Sequence, residues 1–194
     1  MYRPFKIALV SLIFNMLFAT YHLMLGVVES SWWLITLGAY YLILSAVRFL
    51  VLRLKAEEGL IAGMTGWMLI VLSAPLIGTV ILSVISDRGY KLHMILMIAI
   101  AAYAFTKVTL ATINMLKLSN SKSMKLVTLR NISFADAVVS IFALQRSMLV
   151  SFEGMTEAEI MAMNAALGSA VCITVLLLGI NLLRKNSSTQ KTSV

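Results

Sequence analysis

The stretch IAGMTGWMLIVLSAPLIGTVILSVI, residues Ile61 to Ile85, has no charged side chain in 25 positions. A helix rises about 1.5 Å per residue, so a helix of this length would cross the hydrocarbon core of a bilayer, which is about 30 Å thick. Pro75 lies near the middle and would bend such a helix by removing one backbone hydrogen bond. The stretch therefore predicts a transmembrane helix.

Apolar runs of similar length lie on both sides of this stretch. The chain has 194 residues, of which 60% are hydrophobic and 12% are charged, and its mean hydropathy is +0.94. Soluble domains carry about 25% charged residues, so an ordinary soluble fold is excluded. The six runs are roughly Phe5 to Val28, Trp32 to Leu52, Ile61 to Ile85, Leu92 to Leu116, Met124 to Val150 and Ile160 to Leu183. They predict an all-α polytopic membrane protein with six transmembrane helices.

The domain organisation follows from how much of the chain these runs occupy. Six spans and short loops predict a single transmembrane domain over residues 1–187, followed by a polar cytoplasmic tail over residues 188–194. The one cysteine, Cys172, lies inside an apolar run, so the sequence has no second thiol for an internal disulfide or a thiolate metal site. We expect no metal and no cofactor.

The distribution of charge predicts the orientation in the membrane. One predicted face holds Arg3, Lys6, Arg53, Lys55, Lys117, Lys122, Lys125, Arg130, Arg184, Lys185 and Lys191. The opposite face holds only Arg88 and Lys91 among basic residues. Because basic loops stay in the cytoplasm, both termini are expected there. This asymmetry explains the formal net charge of +8, so nucleic-acid binding is not expected.

The two halves of the sequence show a weak similarity. A shift of 85 positions aligns FKIALV at Phe5 with YKLHMI at Tyr90, and also pairs Phe18 with Tyr103 and His22 with Lys107. Because each half has three spans, equivalent helices would run in opposite directions. Two inverted three-helix repeats, as found in many transporters, would explain this pattern, and the alternative is the chance similarity that apolar membrane segments often show.

Polar side chains at membrane depth are the candidate site residues. On the fourth run Tyr103, Thr106, Lys107 and Asn114 lie within an arc of about 100°. Asp136 is the only acidic residue inside any of the six runs, and it shares a helix face with Ser140. A charged group at this depth is unfavourable unless it is paired, so we expect an ion pair between Lys107 and Asp136. That pair either holds helices together or is opened by a substrate or proton.

Further polar and aromatic residues lie nearer the predicted membrane surfaces. His22 on the first run is expected either to bond a neighbouring helix, or to relay protons or contact a ligand. Arg48 and Arg146 are close enough to the span ends to reach lipid headgroups. Tyr41 and Arg48 have the alternative of lining a vestibule. Trp32, Trp33 and Trp67 are expected to anchor the chain at the two interfaces.

Motifs of enzymes and of well-known channels do not occur in the sequence. There is no HExxH, no GxSxG, no TVGYG filter and no regular arginine ladder. The two histidines, His22 and His93, lie on different helices. Enzymatic function is therefore less favoured, although it is not eliminated.

Three segments resemble a family of six-helix integral membrane proteins of Gram-positive bacteria that has no assigned function. They are SWWLITLGAYYLILSAVRFLVL from Ser31, YAFTKVTLATINMLK from Tyr103 and SFADAVVSIFALQRSML from Ser133. The resemblance implies six helices and a bacterial plasma membrane, but no activity.

Together these patterns favour a transporter or channel for a small solute or ion, with a polar site between the first, fourth and fifth helices. The first alternative is a regulatory, sensor or immunity subunit without catalytic activity. The second is a lipid-modifying membrane enzyme that depends on His22. The expected partners are the lipid bilayer, the small solute or ion, and a second copy of the chain or another membrane subunit.

Overall fold

The computed structural model of the protein describes residues 2–53, 57–85, 94–117, 123–151 and 154–192. These residues form six α-helices: α1 (Tyr2–Val28), α2 (Trp32–Arg53), α3 (Glu58–Ile85), α4 (Met94–Lys117), α5 (Met124–Ser151) and α6 (Glu157–Thr192). The predicted all-α class is confirmed. The helix bounds follow the predicted runs closely except at the end of α6, which continues to Thr192 through the polar residues after Leu183.

Four of these helices, α2, α3, α5 and α6, are long and apolar enough to cross a membrane. The described apolar segments of α1 and α4 are shorter, Leu12–Val28 and Ile100–Ile113. Many large apolar side chains are exposed on the outside of the bundle, including Leu17, Trp67, Ile95, Phe105 and Ile173. An apolar outer surface of this kind suits lipid, because soluble proteins rarely expose large apolar patches.

Side chains near the helix ends satisfy backbone N–H groups that have no partner within the helix. At the start of α6, Thr156 Oγ1 accepts from the N–H of Glu159 at 3.4 Å, and Glu159 Oε2 accepts from the N–H of Thr156 at 2.8 Å. This is the reciprocal arrangement of a capping box. At the start of α5, the N–H of Met124 donates to Glu58 Oε2 at 2.7 Å. Glu58 thus joins the beginning of α3 to the beginning of α5.

The helices pack most extensively in three pairs: α1 with α2, α4 with α5, and α3 with α6. The largest apolar cluster is built around α2 and α5, with Leu37, Leu44, Val139 and Phe142 fully buried or nearly so. This cluster places the middle of α2 against the middle of α5, where the polar centre described below lies.

Glycines allow the backbones of α3 and α6 to approach closely. A Cβ placed at Gly179 would lie 2.9 Å from the carbonyl oxygen of Gly66. Nearer the other end of the same contact, Gly168 packs against Val80 of α3. Residue numbers therefore rise along α3 as they fall along α6, so the two helices run antiparallel.

The buried faces of α1 and α4 match position by position. The buried described side chains of α1 are at Leu12, Asn15, Ala19, His22 and Gly26. Those of α4 are at Met97, Ile100, Ala104, Lys107 and Ala111. Each position on α4 follows its counterpart on α1 by 85 residues, which is the shift that aligned the two halves of the sequence.

Candidate functional site

The polar centre is organised around the carboxylate of Asp136, which is only 1% exposed. Lys107 Nζ lies 2.6 Å from Oδ1, and Asn15 Nδ2 donates to Oδ2 at 2.6 Å. The guanidinium of Arg48 also donates to Oδ2, at 3.4 Å. A single carboxylate therefore receives hydrogen bonds from α1, α2 and α4 while belonging to α5.

Lys107 is held by both ionic and aromatic contacts. Besides Asp136, its ammonium donates to the hydroxyl of Ser140 at 2.9 Å. It also lies over two tyrosine rings, 5.0 Å from the centroid of Tyr41 and 4.9 Å from that of Tyr103. Such cation–π contacts add to the stabilisation of a desolvated cation. The predicted pair of Lys107 and Asp136 is present, and it is directly bonded.

Helix α2 contributes more to the centre than the sequence indicated. The hydroxyl of Tyr41 donates to Ser140 at 3.1 Å, and Arg48 contacts Ser133 as well as Asp136, both at 3.4 Å. Arg48 is 0% exposed, so the prediction that it reaches lipid headgroups is wrong. Its distance from the end of α2 suggested that role, but the rotation of the helix directs the side chain towards α5.

Asn15 joins α1 to the centre and was absent from the predicted site. Its amide nitrogen donates to Asp136, and its amide oxygen accepts from the hydroxyl of Tyr103 at 3.0 Å. Its position in the sequence could have identified Asn15, because it lies one helical turn before Ala19 and two turns before His22, on the same face of α1. Amides at membrane depth require partners as charged groups do, since lipid offers none.

His22 lies beside the centre. Its Nδ1 is 2.9 Å from the carbonyl oxygen of Phe18, and because a carbonyl can only accept, Nδ1 carries a proton. Its ring centroid is 4.2 Å from that of Phe18 and 6.1 Å from that of Tyr41. His22 therefore packs against the rings of Phe18 and Tyr41, close to Lys107, and its ring nitrogen bonds the backbone of its own helix.

Two predicted residues of α4 do not join this network in the described structure. Thr106 is exposed, and its hydroxyl donates to the carbonyl of Ala102 in its own helix at 2.7 Å. Thr106 precedes Lys107 by one residue, which is about 100° around the helix and enough to turn it away from α5. The side chain of Asn114 lies outside the described residues.

A second buried arginine lies nearer the other end of α5. The guanidinium of Arg146 stacks over the ring of Trp33 at 4.8 Å and donates to the carbonyl of Ser83 at 2.7 Å. Arg146 is 3% and Trp33 8% exposed, so the predicted headgroup and interface roles are wrong for these two residues. Trp32 and Trp67 are largely exposed, as an interfacial anchor requires.

The side chains at the centre form ion pairs and hydrogen bonds. Within the described ranges no group of three or more His, Cys, Asp or Glu side chains is placed to hold a metal ion. The centre instead combines two cations, one carboxylate, an amide and several hydroxyls. Breaking a buried ion pair by removing one partner typically destabilises by about 3–5 kcal/mol, so each charge depends on the others.

Comparisons with protein-family models, with curated proteins and with solved structures found no match to this chain.

Proposed function

We propose that this chain is an integral membrane transporter or channel for a small solute or ion, and that the solute passes the centre around Asp136. The observation that carries the proposal is that four helices each supply polar side chains to one buried network. Ionisable groups inside a membrane are unfavourable and commonly line a substrate or proton pathway.

The membrane arrangement proposed with it has six crossings, with both termini in the cytoplasm of a bacterium. The antiparallel contact of α3 with α6 supports it, because two crossings, α4 and α5, lie between them in the chain, and six alternating crossings then make α3 and α6 run in opposite directions. The excess of basic residues in the predicted cytoplasmic segments supports the orientation.

Two inverted three-helix repeats are part of the same proposal. The two halves correspond if α1 is matched with α4, α2 with α5, and α3 with α6. The pair α1 and α2 then corresponds to the pair α4 and α5, and the pair α3 and α6 corresponds to itself. The contact of α2 with α3 likewise corresponds to that of α5 with α6. The matching buried positions of α1 and α4 give further support. In inverted-repeat transporters the substrate site lies near the bilayer midplane, between the repeats. Here Asn15 and Arg48 come from one half, and Lys107 and Asp136 from the other.

The proposed mechanism is an exchange of partners at the ion pair. In the closed state Lys107 bonds Asp136 directly at 2.6 Å, which leaves the pathway blocked at this level. A substrate or a proton that competes for one member of the pair releases the other. The helices that carry them, α4 and α5, are then free to separate on one side of the membrane, which gives alternating access.

A second candidate is a non-catalytic membrane subunit in which the same charges specify how the helices pair. The directness of the contact and the low exposure of Asp136 favour it, since a structural ion pair needs no access for solutes. Polar contacts between helices stabilise membrane proteins by roughly 0.6 kcal/mol each on average, so several are needed to specify a fold.

Purified protein in liposomes separates the two candidates. The flux of labelled methylammonium, methanesulfonate and glycerol is compared for the unaltered chain and for Lys107→Met combined with Asp136→Asn. Thr106→Val, on the same helix but outside the network, is the matched control. Transport that the control retains and the double variant loses, with the helical content unchanged, supports a transporter. A folded, unaltered chain that moves none of these solutes favours the structural role.

A further inference from the structure

We propose that the transported solute is small and uncharged, carries a hydrogen-bond donor next to an acceptor, as a polyol or an amide does, and binds first at Asn164 of α6. From there it passes Tyr40 of α2 to reach the centre around Asp136. This inference rests on the proposed transport function, and it names the class of solute and a second binding site.

Asn164 is a buried amide without a hydrogen-bond partner. Its side chain is 0% exposed, and neither the amide nitrogen nor the amide oxygen has a partner in the described part of the chain. Buried polar groups in native proteins are nearly always bonded, since an unbonded one is unfavourable. An apolar side chain of similar size would avoid this cost, so binding of a ligand gives a physical reason for an amide here.

A contact between α5 and α6 shows the level of Asn164 in the bundle. Gln145 of α5 donates to the carbonyl of Met163, the residue before Asn164, at 3.1 Å. Asn164 therefore lies level with Arg146. Along α5, Arg146 follows Asp136 by ten residues, a rise of about 15 Å. In the proposed orientation Asn164 is thus on the outer side of the centre.

Two further buried groups without a partner lie between this level and the centre. The indole Nε1 of Trp33, whose ring lies under Arg146, and the hydroxyl of Tyr40 have no hydrogen-bond partner among the described residues. Their side chains are 8% and 1% exposed, and they lie two turns apart on one face of α2. The next residue, Tyr41, belongs to the centre. Neutral polar groups therefore mark a route from the level of Asn164 to the centre.

The chemistry of these groups selects an uncharged solute. Lys107 already contacts a carboxylate, a hydroxyl and two tyrosine rings, and Arg146 donates to a backbone carbonyl and stacks on an indole. An ion would have to replace such contacts, whereas a neutral solute can bond the neutral groups that lack partners. The amide of Asn164 presents a donor beside an acceptor, so its complement carries an acceptor beside a donor.

The same solute can act on the ion pair at the centre. Inserted between Lys107 and Asp136, it accepts a hydrogen bond from the ammonium and donates one to the carboxylate. The formal charge of the centre does not change, so no further ion loses its hydration. The exchange of partners proposed for transport thereby proceeds through two hydrogen bonds of a neutral molecule.

Glycerol is the probe, and light scattering measures its entry into liposomes that contain the full chain. In hyperosmotic glycerol the liposomes shrink and then swell again, at a rate compared with that of protein-free liposomes. We expect Asn164→Leu to lower the protein-dependent rate about tenfold through the loss of two hydrogen bonds. Trp33→Phe, which keeps a ring under Arg146, should lower it a few-fold. Thr174→Val should retain it, because that hydroxyl bonds the carbonyl of Ala170 in its own helix at 2.8 Å.

A stability measurement separates this role of Asn164 from a structural one. Leucine removes the unpartnered amide, so the unfolding temperature of Asn164→Leu in detergent should equal or exceed that of the unaltered chain. A lower unfolding temperature with an unchanged glycerol rate would overturn the inference. Should Asn164→Leu fail to fold, an unchanged rate for Trp33→Phe would overturn it as well.

The other two solutes distinguish failure of this inference from failure of the transport proposal. Flux of methylammonium or methanesulfonate without protein-dependent glycerol entry would overturn the inference and leave the transport proposal standing. The absence of flux for all three solutes would overturn both.

Discussion

Asn15 and Asp136 are 121 positions apart in the chain, yet their side chains are joined by a hydrogen bond of 2.6 Å in the interior of the bundle. The same amide accepts from Tyr103, so Asn15 connects α1 to α4 and α5 at one point. Among the side chains of α1 that the structure describes, Asn15 is the one that hydrogen-bonds Asp136, and it does so without carrying a charge.

Replacing Asn15 by Leu should destabilise the protein by about 1–3 kcal/mol, because Asp136 loses a donor and the Tyr103 hydroxyl loses its acceptor. The midpoint of thermal unfolding in detergent, followed by circular dichroism, measures this effect. Thr20→Val on the same helix is the control, since Thr20 is exposed and bonds only the carbonyl of Met16 in its own helix. Equal midpoints for the two variants would contradict the assigned role of Asn15.

The charges of Lys107 and Asp136 should show strong coupling in a double-mutant cycle. Lys107→Met leaves a buried carboxylate with a more distant cation, and Asp136→Asn leaves two cations without their shared carboxylate. We expect each single change to destabilise by about 3 kcal/mol and the double change by clearly less than their sum. The same unfolding measurement gives the coupling energy. Additive effects would show that the two charges act independently.

The contact between α3 and α6 should be sensitive to a single methyl group. Gly179→Ala places a Cβ 2.9 Å from both the carbonyl of Gly66 and the side chain of Ile70, so we expect a loss of roughly 1–3 kcal/mol. Gly78→Ala is the matched control on α3, because a Cβ there meets no atom within 4 Å. It should be neutral or stabilising by up to about 1 kcal/mol, since alanine favours a helix more than glycine does. A larger loss at Gly78 than at Gly179 would contradict this helix contact.

The proposed orientation can be tested with single thiols. In a Cys172→Ser background the chain has no other cysteine. A thiol introduced by Met155→Cys, before α6, should react with a membrane-impermeant maleimide on intact cells. A thiol from Ser187→Cys, near the end of α6, should react only after permeabilisation. The reverse pattern would mean that both termini lie outside.

Much of the fold could be predicted from the sequence, because lipid permits few alternatives. An uncharged run such as Ile61 to Ile85 has to satisfy its backbone within a helix, so helix positions follow from apolar length alone. The partner of Lys107 was predictable for a similar reason. Asp136 is the only opposite charge at membrane depth, and leaving either unpaired is costly.

The rotation of each helix about its axis was harder to predict. Arg48 and Arg146 lie near span ends, and position along a helix does not indicate which neighbour the side chain faces. Burial of both depends on how α2 and α5 pack. Thr106 shows the opposite case, since it is adjacent to Lys107 in sequence and yet exposed. These outcomes are decided by contacts between helices and not by periodicity within one helix.

Arg48 is made long before the carboxylate that it contacts. Asp136 follows it by 88 residues, and at ribosomal rates of about 5–20 residues per second it is synthesised roughly 4–18 s later. In the proposed membrane arrangement, α2 therefore enters the bilayer before the carboxylate of Asp136 has been made. Arg48 lies five positions before Arg53, where α2 ends, a rise of about 8 Å that its long side chain can span to reach the headgroups. Because Arg48 lies so near the end of α2, its guanidinium could thus remain among the headgroups until α5 is inserted.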